Sequence, residues 1–93
     1  MAKFEIGETI ICSIEIRNAA GALVDPATST TVIILNPDGA EVLNVAMDND
    51  GLGLFHKDYT SAATVQVGTY TVWYIAVDGT RITKQKDTFE LEP

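Results

Sequence analysis

The stretch GTYTVWYIAV at residues 68–77 alternates two sets of side chains without a break: Tyr70, Val72, Tyr74 and Ala76 in one, Thr71, Trp73, Ile75 and Val77 in the other. Successive side chains of an extended chain leave on opposite faces, so this segment is a strand with two distinct faces. The same period runs through TIICSIEIR (residues 9–17), where Ile10, Cys12, Ile14 and Ile16 share a face. No window holds apolar residues at i, i+3, i+4 and i+7 long enough to make a helix. A chain patterned in this way buries one face of each strand against a second layer, which makes the fold all-β.

The pattern predicts seven strands, at residues 3–6, 9–17, 30–36, 40–47, 52–59, 68–77 and 81–91. TTVIILN (residues 30–36) is apolar on both faces and reads as a central strand covered on both sides. NPDG after it has Pro second and Gly fourth, which suits a type I turn closed by a glycine bulge and predicts a hairpin. In LGLFHKDY, Phe55 and Tyr59 point to the core, with the Lys57 stem between them. Phe89 and Leu91 take the last strand to the core. Residues 18–29 form the longest connection, whose Leu23 and Val24 fold back onto the core rim, and residues 60–67 form a second loop.

MDNDGLG at residues 47–53 looks at first like a calcium loop. Counted from Asp48, an EF-hand needs oxygen ligands at positions 5 and 12, where this chain has Leu52 and Tyr59. The flanking segments are strands as well. A turn with positive φ at Asp50 or Gly51 accounts for the same letters.

With 93 residues, 46% of them apolar and 20% charged, the chain suits one globular domain spanning residues 1–93. Its net charge of −7 repels a phosphate backbone and an anionic membrane, which excludes general nucleic-acid binding. No segment has the ~20 apolar residues of a membrane helix, and none near the start has signal-peptide length. These features predict a soluble product made in the cytoplasm, without membrane insertion and without a signal peptide. Cys12 has no partner for a disulfide, and Cys12 with His56 falls short of a zinc site, so Cys12 reads as a buried small hydrophobe.

Seven short strands at intervals of about ten residues suit an antiparallel, immunoglobulin-like β-sandwich with Greek-key connections. Through GALVDPATSTTVIILNPDGAEV, GLGLFHKDY, VGTYTVWYIAVDGT and DTFELEP the sequence resembles small bacterial and phage immunoglobulin-like domains of the macroglobulin and carboxypeptidase-regulatory types. Stand-alone versions of these domains are often encoded by phages and prophages. The resemblance therefore implies a non-enzymatic structural or interaction module, virion-associated or accessory, with other protein subunits as partners, either its own copies or virion components. It also likens Tyr70, after Gly68, to the corner tyrosine of such folds, whose hydroxyl bonds the backbone of the preceding connection.

Candidate sites are few. One histidine, His56, and serines outside any nucleophile elbow give no catalytic triad, and GLG at residues 51–53 lacks the third glycine of a nucleotide loop. No catalytic residue, metal ligand or cofactor is assigned, and the chain reads as no enzyme. His56 and Asp58 form a neighbour pair on one strand face. RITKQK (residues 81–86) places Lys84 and Lys86 on one face of a last strand, where lysines guard an edge against strand pairing. In an immunoglobulin-like sandwich Asp25, Asp48, Asp50 and Asp78 come toward one pole, which is either a set of solvated turns or a loop-borne calcium or adhesion site. Trp73, Ile75 and Val77 form an apolar stripe that is either covered by the long connection or exposed as a contact surface.

Overall fold

The alternating segments become strands in the computed structural model, which describes residues 2–25, 29–61 and 66–93. There are eight among the described residues: β1 (Ala2–Glu5), β2 (Thr9–Glu15), β3 (Ser29–Leu35), β4 (Glu41–Ala46), β5 (Asp48–Gly51), β6 (Leu54–Thr60), β7 (Gly68–Asp78) and β8 (Arg81–Glu92). One sheet has the order β1-β8-β7-β3-β4 and the other β2-β6-β5. The fold is an all-β, two-sheet sandwich. Of the two expected loops, positions 26–28 and 62–65 lie outside the described residues.

The buried set follows one face of each alternating strand, and in β7 that face is the one with Tyr70, Val72 and Tyr74. Ile10, Cys12, Ile14 and Phe55 from the three-stranded sheet join Val32, Ile34, Tyr70, Val72, Tyr74, Phe89 and Leu91 from the five-stranded sheet in one cluster. Val32 and Ile34 are fully enclosed, and Tyr59 packs against the cluster edge as its register predicts. Tyr70 stacks on Phe89 with 5.2 Å between ring centroids, and its hydroxyl donates to the Gln66 carbonyl at 2.6 Å. That bond is the corner arrangement expected of Tyr70, since Gln66 lies in the connection just before β7. NPDG forms the expected hairpin: Gly39 has φ of 88°, its N–H donates to the Asn36 carbonyl, and a bulge falls at Ile34/Leu35.

Three expectations are corrected. Eight strands replace seven because DNDG is itself a strand, β5, pairing antiparallel with β6 through Asp48↔His56 and Asn49↔Phe55. The turn shifts to Leu52 and Gly53, and the positive φ, 72°, sits at Gly53 rather than at Asp50 or Gly51. The sheets are not wholly antiparallel either, since β1 runs parallel to the end of β8 through Ala2↔Phe89 to Glu5↔Glu92. Finally, β3 is covered on one face only: Ile33 and Leu35 are half-buried on the outer face, and neither belongs to the core cluster.

Burial sets the acid–base behaviour of the core. The Cys12 thiol is pushed up by loss of solvation, which outweighs the hydrogen bond from Tyr74, and Tyr74 is itself pushed far up, chiefly by burial. Tyr59 and Tyr70 are raised for the same reason. In each case the unfolded chain loses its proton first. This contribution to stability is therefore complete below the ordinary thiol value, about pH 8.5, and declines as pH rises toward the folded-state values. Urea midpoints should be level from pH 7 to about pH 8.5 and fall by pH 10; a midpoint that holds through pH 10 would contradict this picture of the core.

Candidate functional site

Two surfaces carry the side chains with chemical potential. The first is the outer face of the three-stranded sheet. Register places Ser13 of β2, His56 of β6 and Asp48 of β5 in one row. The imidazole turns toward β5: Nδ1 lies 2.6 Å from Asp50 Oδ2 and Nε2 lies 4.0 Å from Asp48 Oδ2. Lys57 Nζ reaches the same Asp48 oxygen at 3.9 Å. A serine nucleophile needs the histidine within hydrogen-bond reach. Ser13 stands opposite His56 in the ladder, yet no hydrogen bond links their side chains among the described residues, and both ring nitrogens face carboxylates. His56 and Asp58 share this face of β6 as expected, while the carboxylates that the imidazole faces belong to Asp48 and Asp50 across the ladder on β5.

The four aspartates do not gather. Asp25 Oδ1 accepts from the Gly53 N–H at 2.7 Å and from Asn49 Nδ2 at 3.1 Å, which pins the long connection to the β5–β6 turn. Asp48 and Asp50 are held by His56 and Lys57, while Asp78 lines a separate cleft with Asn18, Val24 and Arg81. Among the described residues no three His, Cys, Asp or Glu side chains converge as ligands for a metal ion. Of the two readings of the acidic pole, this arrangement does not favour the calcium one, because Asp25 serves as a turn fastener and Asp48 and Asp50 as cross-strand partners. A ligand of the folded state raises the melting temperature, so millimolar calcium should leave it unchanged; a rise that Asp25→Asn abolishes would contradict this.

The second surface is the outer face of the five-stranded sheet. Ladder pairs Ile33↔Trp73 and Thr31↔Ile75 continue into Trp73↔Lys86 and Ile75↔Lys84. Trp73, Ile75, Val77, Ile33 and Leu35 are all half-buried here, and Ile82, paired with Val77, is 63% exposed. Ile33, Leu35, Trp73 and Ile75 floor a shallow depression of about 250 Å³, with Lys84 at one rim and Glu41 at the other. Lys86 Nζ lies 5.8 Å from the Trp73 ring centroid, a cation–π distance. None of the described residues of the long connection is among those that line this face. Leu23 and Val24 are half-buried beside Ile16 and Arg17, held by the Val24 N–H bond to the Ile16 carbonyl and the Arg17↔Leu23 bridge, and unlike Ile16 they are not among the side chains packed on the core cluster where they were expected. Trp73, Ile75 and Val77 are legible in the sequence as an apolar stripe, whereas Ile33 and Leu35 are not, because the doubly apolar TTVIILN reads as covered on both sides.

The solved structure of CopC from Methylosinus trichosporium OB3b is similar to this one, at 21% sequence identity and a TM-score of 0.68, over 100% of this chain and 86% of that one. No protein-family model matches the chain, and no curated protein matches it. The CopC likeness establishes the shared β-sandwich fold. It also overturns the expected function: the fold leads to CopC rather than to a virion component, and the phage-encoded structural module implied by the sequence resemblance is withdrawn. No helix among the described residues is long and apolar enough to cross a membrane.

Proposed function

We propose that this chain is a non-enzymatic binding protein whose working surface is the outer face of the five-stranded sheet, and that its ligand is another protein. The observation that carries the reading is the row of half-buried apolar side chains, Ile33, Leu35, Trp73, Ile75 and Val77, lying outside the core cluster. Apolar rows of this kind on a sheet exterior serve as contact surfaces, and aromatic residues at their centre supply most of the binding energy. On the other sheet, engagement of both His56 nitrogens by carboxylates supports a structural role for that cluster over a catalytic one.

The path of the chain is immunoglobulin-like in the same proposal. The orders β2-β6-β5 and β1-β8-β7-β3-β4 correspond to strands B-E-D against a G-F-C sheet extended at both ends, with Tyr70 near the start of F. In that arrangement the Trp73 face is the exterior of the G-F-C sheet.

Photo-crosslinking from position 75 in cells that make the protein tests the assignment, with position 58 on the opposite sheet as control. A protein adduct formed from position 75 and not from position 58 is the expected result. Adducts from neither position, or equally from both, would overturn it.

A further inference from the structure

The chain has six cationic side chains, and three are paired: Lys3 with Glu90 and Glu92, Arg17 with Glu15, Lys57 with Asp48. The other three, Arg81, Lys84 and Lys86, have no ion pair among the described residues, and all lie on one exposed segment of β8. Among the described residues that segment pairs with β7 on one side only, since β1 pairs with β8 no earlier than Phe89. Lysines on such an edge discourage strand pairing, but edge protection does not explain why Lys84 borders the apolar depression while Lys86 lies over the ring of Trp73 in its floor. Register sets Lys84 beside Ile75 and Lys86 beside Trp73. In a molecule of net charge −7, this is where unpaired positive charge adjoins exposed apolar surface.

Resting on the outer-face reading above, we propose that the partner presents an acidic, extended segment. Its carboxylates meet Lys84 and Lys86, and its apolar side chains enter the depression floored by Ile33, Leu35, Trp73 and Ile75. Glu41 at the opposite rim repels carboxylates and so fixes which side of the segment faces β8. Opposite charges at a contact rim act on encounter and orientation, while the apolar floor supplies the contact area.

Panning a library of short random peptides against the folded protein, followed by titration of the enriched peptides through the emission of Trp73, the single tryptophan, tests this. Enriched peptides should interleave Asp or Glu with aliphatic or aromatic residues and shift the Trp73 emission. Their affinity should fall roughly tenfold in Lys84→Glu/Lys86→Glu and fall with added salt. Both lysines are exposed, so this variant should melt like the parent, which is checked first. Enrichment without acidic residues, or affinity indifferent to the charge reversal, overturns the acidic partner; if Trp73 still responds, the outer-face reading stands. Failure of any peptide to move the Trp73 emission overturns both. Self-association lost in the same variant would assign the face to a second copy and also overturn the acidic partner.

Discussion

Tyr70→Ala should cost about 4 kcal/mol of unfolding free energy, the range for removing a large buried aromatic. For 93 residues that is a large share of a total stability of roughly 5–15 kcal/mol. The loss has two parts. The ring is 1% exposed and stacked on Phe89, itself edge-on to Phe4 at 6.0 Å, so its removal opens a cavity where β1, β7 and β8 meet. The hydroxyl also satisfies the Gln66 carbonyl ahead of β7. Tyr70→Phe isolates this second part and should cost only about 1–2 kcal/mol. Equal destabilisation by the two substitutions, measured by urea unfolding, would show that the stacked ring is not what holds this corner.

Gly53→Ala is expected to be the other severe change, lowering stability by roughly 3–4 kcal/mol and the melting temperature by roughly 15–25 °C. Gly53 has φ of 72°, and a β-carbon there would lie 2.7 Å from the Ile16 carbonyl oxygen and 2.9 Å from the Val24 nitrogen. These are backbone atoms fixed by the Ile16 N–H bond to the Gly53 carbonyl and the Val24 N–H bond to the Ile16 carbonyl, so neither can retreat alone. Gly21 is the control. Its φ is 85°, but nothing lies within 4 Å of an added β-carbon, so Gly21→Ala should cost only about 1 kcal/mol. Thermal unfolding of the two variants separates crowding from backbone preference, and similar losses would contradict the packing described for the long connection.

The same residues show why parts of this structure were legible in the sequence. Strand β2 alternates apolar with mostly polar residues, so Cys12 could be assigned to the core from period alone, as could the NPDG hairpin from its turn chemistry; in β7 the period separates the Tyr70 face from the Trp73 face, but both are apolar and only the fold decides which is core. Strand β5 could not be read in this way. Asp, Asn and Gly disfavour strands, and DNDG becomes one because β6 supplies a ladder for it, with Asp50 bonded to His56 across that ladder. The parallel β1–β8 pair joins the two ends of the chain and leaves no local trace. Ile33 and Leu35 were misplaced because a doubly apolar strand reads alike whether its second face meets another layer or solvent. The cationic segment was visible as RITKQK, but its lack of ion pairs depends on where every carboxylate folds. That the acidic pole does not favour a calcium site was hidden for the same reason, since Asp25 is committed to Gly53 by a contact spanning 28 residues.

Thermal unfolding of Trp73→Ser tests the central claim most directly, because the account places this large aromatic on the outside of the sandwich. It predicts a cooperative transition lowered by about 5–10 °C, the cost of removing a half-buried ring from a sheet exterior. Loss of the cooperative transition, as for a core tryptophan, would contradict the placement of the Trp73 face and with it the binding surface built on that face.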